Sequence, residues 1–325
     1  MRAVVISQPG GTESLHIAEL PDPVPGHGEV LISVAASGVN RADIHQREGN
    51  YPAPKGAPEW PGLEVSGTVI DRGAGVSDIQ LGERVCALLA GGGYAEKVTV
   101  AAGLVMTVPQ NVRLDDAAAL PEAIATVWST VFMSAGLRAG ETLLVHGGSG
   151  GIGTMAIQLA RSLGCRVAVT SGSESKLAAC GDLGADILIN YRTQDFVDEL
   201  LRATDGEGAD VILDPVGGAY LDRNLRVLAR YGRIELIANQ SAVAGELSVG
   251  RLMAKWGTIR ASTLRARTLA DKESIIASVR ANAWPLVESG LVVPIVDEKF
   301  SLEAAHLAHK KMESGKHIGK LLLIP

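Results

Sequence analysis

Thr142-Leu143-Leu144-Val145-His146-Gly147-Gly148-Ser149-Gly150-Gly151-Ile152-Gly153-Thr154-Met155-Ala156-Ile157-Gln158-Leu159-Ala160 is the stretch that decides the fold. It opens as a short apolar strand, passes through a G-x-G-x-x-G spacing at Gly148, Gly150 and Gly153, and continues as an amphipathic helix. In a chain with 38 glycines the spacing alone is weak evidence. The strand before it and the helix after it make it specific. Glycines permit the tight turn and the close approach of backbone to a pyrophosphate, whose charge rests on the helix N-terminus.

Downstream of this unit the rhythm persists. Strand-like runs at 142–146, 166–170, 186–190, 210–214, 233–237 and 258–262 alternate with helix-length segments. Such alternation implies right-handed crossovers and a doubly wound parallel sheet of the Rossmann type. Upstream, residues 1 to about 120 read as strands and glycine- and proline-rich turns. After 262 a helical stretch over 271–289 is expected, then β character at 292–297, a short helix at 302–314 and a final strand at Lys320-Leu321-Leu322-Leu323-Ile324. The fold class is therefore α/β. A β-rich domain over 1–122 and 264–325 is interrupted by a Rossmann domain over 123–263.

Bulk properties bound the function. The chain has 325 residues, a length at which two domains are the natural expectation. With 30 Lys+Arg against 36 Asp+Glu it lacks the overall basic footprint of a nucleic-acid binder. No apolar run reaches the roughly 18 residues a membrane span requires, and the N-terminal run is too short for a signal peptide, so a cytoplasmic location is expected. Cys86, Cys165 and Cys180 are scattered, as reduced structural thiols would be. His146 is expected to be held by packing, and His306 and His309 to sit on a surface helix. No Gly-x-Ser-x-Gly elbow, P-loop or His-Glu-x-x-His occurs, which leaves hydrolase, kinase and metalloprotease chemistry without a motif.

The choice of nucleotide is expected at the end of the second strand of the inserted domain. An acidic residue there would bind the ribose hydroxyls and repel a 2′-phosphate. This chain instead runs Thr170-Ser171-Gly172-Ser173-Glu174-Ser175-Lys176. Small and hydroxyl residues with a cation at Lys176 favour NADPH. Glu174 falls in the first helical turn, where an acid is favoured for capping reasons alone.

The order of parts resembles the medium-chain dehydrogenase/reductase superfamily over essentially the whole chain. Zinc alcohol dehydrogenases in that superfamily place a Cys, a His-Glu pair and a second Cys or Asp around a catalytic metal. At the matching places this chain has Asn40 for the Cys and Leu63-Glu64 for the His-Glu pair, and no close cysteine cluster. Its runs Asn40-Arg41-Ala42-Asp43, Gln46-Arg47-Glu48-Gly49-Asn50-Tyr51-Pro52, Gly62-Leu63-Glu64-Val65-Ser66-Gly67, Asn190-Tyr191 and His317-Ile318-Gly319-Lys320 are similar to the zinc-free quinone oxidoreductase (ζ-crystallin) branch. The Arg-Glu-Gly-x-Tyr-Pro stretch and the tail look most similar to its tumour-suppressor-inducible subgroup.

That resemblance implies a GroES-like catalytic domain, NADPH as cofactor, no metal, and a quinone or other conjugated carbonyl as substrate. It implies Tyr51 and Asn40 as donors to the acceptor oxygen. It implies nucleotide contacts at Thr126, at Gly148, Gly150, Gly151, Ile152 and Gly153, at Gly172, Ser173, Lys176 and Tyr191, at Leu236, Ile237 and Ala238, and at Thr263, Leu264 and His317. A homodimer paired through the edge strand at 258–262 is implied as well, a monomer with Trp256 or Arg260 capping that edge being the alternative. Two further functions stay open on the residues: an enone or alkenal double-bond reductase, and a low-activity NADPH-binding protein of structural or RNA-binding role.

Overall fold

The computed structural model describes residues 1–325. The chain divides into two compact units, Met1–Ala125 with Arg265–Pro325, and Thr126–Leu264. The divisions fall three residues and one residue beyond those expected from the sequence.

The first unit begins with a hairpin of β1 (Arg2–Ile6) and β2 (Leu15–Glu19). It continues through β3 (Glu29–Val39), β4 (Glu64–Arg72), β5 (Arg84–Leu88), β6 (Lys97–Ala101) and β7 (Val105–Thr107). These strands pair antiparallel; β6 alternates buried with half-buried residues, whereas β3, β4 and β5 carry longer buried runs because both faces of the sheet are covered there. A helix at Arg41–Arg47 interrupts the β segment. It was not expected from the sequence, although Asn40-x-x-Asp43 is the spacing of a capping box.

The second unit holds β8 (Thr142–His146), β9 (Arg166–Ser171), β10 (Ile187–Asn190), β11 (Ala209–Asp214), β12 (Leu228–Leu236) and β13 (Thr258–Ala261). All are parallel, in the order β10-β9-β8-β11-β12-β13. β8 is buried along its whole length because helices cover both faces of such a sheet. Leu144, Ala168, Ile212, Phe196, Leu225 and Ile234 share one core. The strand order reverses between β8 and β11, the place where doubly wound sheets bind ligands beyond their carboxyl ends.

The chain then returns to the first unit through a helix at Leu269–Asn282, a short helix at Trp284–Glu288, β14 (Val296–Ser301), a helix at Ala305–Ser314 and β15 (Lys320–Ile324). Two expectations need correction here. The continuous helix over 271–289 is broken at Ala283, and Pro285 lies in the first turn of the second piece, where its missing N–H costs nothing. The tail strand lies at Val296–Ser301 rather than 292–297. Its partner β15 selects the register: Val296 pairs with Lys320 and Ser301 with Ile324. No helix is long and apolar enough to cross a membrane.

Candidate active site

Three strand ends build a polar cluster in the first unit. β3 lies between β15 and β4, with Leu321 opposite Val39 and Ser37 opposite Val65. That register sets Lys320, Asn40 and Glu64 at the same end of the sheet. Glu64 and Lys320 are buried, at 0% and 4% exposure. The Lys320 ammonium donates to Asn40 Oδ1 at 2.6 Å and to Glu64 Oε1 at 2.5 Å. Asn40 Nδ2 donates to the same Glu64 oxygen at 2.9 Å. Glu64 Oε2 accepts the backbone N–H of Glu122 at 2.8 Å. A β-carbon on Gly38 would lie 2.2 Å from Glu64 Oε1, so only glycine leaves room for this carboxylate.

These contacts fix the Asn40 amide. Its oxygen must face the ammonium, because turning the amide over would oppose two donors. One N–H is spent on Glu64. The other has only the Gly38 carbonyl at 3.5 Å, and so remains available to an acceptor.

A second network, buried at Asp43, Tyr94, His309 and Arg47, braces the segments that carry Asn40 and Glu64. Asp43 accepts from the Asn40 N–H (2.8 Å), the Gly62 N–H (3.0 Å) and the Tyr94 hydroxyl (3.1 Å). Tyr94 Oη lies 3.2 Å from His309 Nε2, and His309 Nδ1 lies 3.5 Å from Arg47 Nη1. Arg47 in turn reaches Glu313 at 2.6 Å. Burial and the neighbouring guanidinium hold His309 down at about 3, so the imidazole is neutral. Its Nδ1 accepts from Arg47, which leaves the proton on Nε2 to donate to Tyr94. Burial raises Asp43 to about 6 against the lowering effect of its three donors and of Lys320. The expected surface position for His309 is thereby corrected: it is 0% exposed, because the helix Ala305–Ser314 turns Ala305, Ala308, His309 and Met312 inward.

Tyr51 lies in a loop of the same unit. The Arg265 guanidinium stacks 5.3 Å from its ring, and Arg265 Nη1 donates to its backbone carbonyl at 3.1 Å. His317 belongs to this unit too, three residues before Lys320.

The second unit presents the glycine turn as the sequence indicated. Gly147 and Gly148 donate to the Thr170 carbonyl at 3.1 and 3.0 Å, and Gly150 caps a helix running from Gly151 through Ile152 and Gly153 to Ser162. A β-carbon on Gly153 would meet the Gly148 carbonyl oxygen at 2.4 Å. The close packing of helix on turn therefore depends on glycine at that position. His146 anchors the turn from below, with Nδ1 3.1 Å from Thr170 Oγ1 and Nε2 2.8 Å from Asn224 Oδ1.

At the end of β9, Gly172 lies under Tyr191: a β-carbon there would sit 2.6 Å from Tyr191 Oη and 3.1 Å from Arg192 Nε. Ser173 caps the helix Glu174–Asp182, which carries Lys176. Glu174 is tied to Asn190 Nδ2 at 2.6 Å. Leu236 ends β12, with Ile237 bonded to the Asp214 carbonyl and Ala238 following. Thr126 is buried, and its carbonyl accepts from Ser129 and Thr130. Thr263 is exposed and Leu264 buried at the end of this unit. The predicted residues thus collect in two places: Asn40, Tyr51 and His317 in the first unit, and the rest in the second.

Lys320, Glu122, Arg265 and Arg192 stand at these places without being among the site residues expected from the sequence. The signal for Lys320 was present, since a charge opening the apolar strand Lys-Leu-Leu-Leu-Ile is an outlier for a buried position. No group of three or more His, Cys, Asp and Glu side chains is arranged so that it could hold a metal ion.

Residues 151–279 match the family described as zinc-binding dehydrogenase, and residues 26–110 match the alcohol dehydrogenase GroES-like domain. The quinone oxidoreductase of Rattus norvegicus is 32% identical over 100% of this chain and 98% of its own length. The crystal structure of Escherichia coli quinone oxidoreductase complexed with NADPH superposes with a TM-score of 0.89 at 29% identity, covering 100% of both chains. That of an NAD-dependent alcohol dehydrogenase does so with a TM-score of 0.89 at 32% identity, again over 100% of both. With full-length similarity at this level, a glycine turn opening a doubly wound sheet and a GroES-like first unit, the chain belongs to the medium-chain dehydrogenase/reductase family of oxidoreductases.

Proposed function

We propose that this protein is a zinc-independent, NADPH-dependent quinone reductase. The observation that carries the reading is the Lys320 ammonium held between Asn40 and Glu64. This ammonium engages Asn40 and Glu64, two of the residues at the positions that resemble the family's metal-binding ones, so the amide and carboxylate there are already committed to it. A catalytic zinc needs three S, N or O ligands. With leucine at position 63 and Asn40 Oδ1 committed to Lys320, that set is missing.

The second unit fits the nucleotide. The cradle at Gly148–Gly153 admits backbone to a pyrophosphate. The end of β9 offers Gly172, Ser173, Lys176, Tyr191 and Arg192, while the nearest acid, Glu174, is occupied by Asn190. Two cations and no free carboxylate favour a 2′-phosphate, which supports NADPH over NADH. Bound there, the nucleotide supplies a hydride.

The chain's own residues do the rest. The remaining N–H of Asn40 and the phenol of Tyr51 donate to the acceptor oxygen as negative charge builds on it. Donors held in place for a developing oxyanion are each worth about 3 kcal/mol. That suffices for a quinone, whose incoming charge spreads over a conjugated system and needs no Lewis acid as strong as zinc. A second copy of the chain is the partner we propose, paired along β13. Tyr231 and Trp256 make an edge-to-face contact at 5.4 Å beside that edge, yet remain 55% and 62% exposed.

The deciding experiment compares kcat/KM with NADPH for 1,4-benzoquinone, a larger naphthoquinone and an enone, with metal content measured on the same sample. Quinone turnover without a stoichiometric divalent ion is expected. Enone turnover greater by orders of magnitude, or activity that follows bound metal, would overturn the reading.

A further inference from the structure

The polar cluster contains three carboxyl groups, and two of them are saturated. Glu64 accepts from Asn40, Lys320 and the Glu122 backbone. Asp43 accepts from two backbone amides and Tyr94. Both are 0% exposed. The third, Glu122, stands at the start of the helix Pro121–Val127 with its own N–H bonded to Glu64. Its side chain is mostly but not fully enclosed, and its one bond into the cluster runs through the backbone N–H, which leaves the carboxyl oxygens uncommitted. It is the one acid of the cluster with open valence.

From these contacts we infer that the Glu122 carboxyl carries the proton taken up by the acceptor oxygen after hydride addition. The inference rests on the proposed reductase function. In the balanced step, hydride from the nicotinamide adds two electrons to the acceptor and leaves an oxyanion. The Glu122 O–H bond breaks as the new O–H bond forms, and water then returns a proton to the carboxylate. Acceptor, hydride and one proton give the reduced product.

The surroundings suit an acid that is protonated at neutral pH. Burial first, and then the negative charge of Glu64, push Glu122 up to about 8, with Asp43 adding to the rise and Lys320 and Lys272 opposing it. Arg265 faces it as a further cation. The lysines are poorer proton sources: Lys320 is committed to two partners, and Lys272 is 6% exposed.

Glu122→Gln tests the assignment in two ways. Infrared difference titration of the unliganded protein should show a carboxylic-acid C=O band that converts to carboxylate near pH 8 and is missing from the variant. In turnover, wild-type kcat should fall through one ionisation above about pH 8. The variant should lose at least tenfold in kcat together with that alkaline limb, its NADPH affinity staying within twofold. If the glutamine variant fails to fold, Glu122→Asp serves, with the acid band kept and kcat reduced by the shorter reach. Wild-type kcat and alkaline limb in the variant, or a Glu122 band that titrates in the ordinary carboxylate range, would sink the proton-donor role. Absence of turnover by the wild type with any quinone would instead sink the reductase function, leaving the infrared arm to report on the carboxyl.

Discussion

Glu64 is a fully enclosed carboxylate whose charge is met by one ammonium and two N–H donors. Removing the ammonium leaves a buried charge uncompensated, which typically costs about 3–5 kcal/mol. Lys320→Met should therefore lower the thermal midpoint by roughly five to ten degrees or prevent accumulation. Lys320→Met combined with Glu64→Gln should recover most of the stability without recovering kcat, and calorimetry with steady-state rates checks both. Glu122 gives a pH signature of its own. Its folded pKa lies above the unfolded value, so its contribution to stability is complete below about 4.5 and disappears as pH rises through about 8. At pH 9 the folded protein carries an ionisation penalty on the order of a few kcal/mol that Glu122→Gln removes. The variant should thus melt several degrees higher than wild type at pH 9 and at nearly the same temperature at pH 5. At the other unit, Lys176→Ala and Arg192→Ala should each raise Kd for NADPH by about tenfold and leave NADH nearly unchanged. Equal losses for both nucleotides in a fluorescence titration would remove the phosphate role.

Among the elements, the helix Arg41–Arg47 and the loop before β4 are tied together through Asp43, Tyr94 and His309. Tyr94→Phe deletes one hydroxyl and keeps the packed ring. Asp43 then loses a donor and the neutral His309 loses its acceptor, so a stability loss of about 1–3 kcal/mol is expected. Amide exchange should quicken at Asn40 and Gly62, whose protons Asp43 holds. Unchanged exchange at both amides in mass spectrometry would show that Tyr94 packs without bracing. The sequence hid this network because its members stand at positions 43, 94 and 309, and nothing in their local patterns marks them as neighbours.

For the molecule as a whole, the parallel sheet of the second unit ends at β13, a short strand with one unpaired edge. Met253 and Trp256 are 70% and 62% exposed beside it. Edges of this kind pair with another chain unless blunted by charge or proline. Trp256→Glu with Met253→Lys should halve the mass seen by light scattering, with the unfolding midpoint of the residual monomer lowered only modestly, both side chains being exposed. A wild-type protein already monomeric at micromolar concentration would dispose of the edge-pairing proposal.

The doubly wound sheet, the glycine turn and the residues at the family's metal-ligand positions, Asn40 and Leu63, are legible in the amino-acid order alone. Each of these is written locally, as apolar runs of strand length, as fixed glycine spacing and as the identity of Asn40 and Leu63. Backbone geometry enforces such features over a few residues, so a single window is enough to read them. That Lys320 neutralises Glu64, that His309 is interior and that Glu122 alone keeps an open carboxyl emerges from the packing of distant segments. Those facts depend on the register between β15, β3 and β4, strands separated by up to some 280 residues of chain. Electrostatics acts through space at a few ångströms, and the distance along the chain carries no record of it.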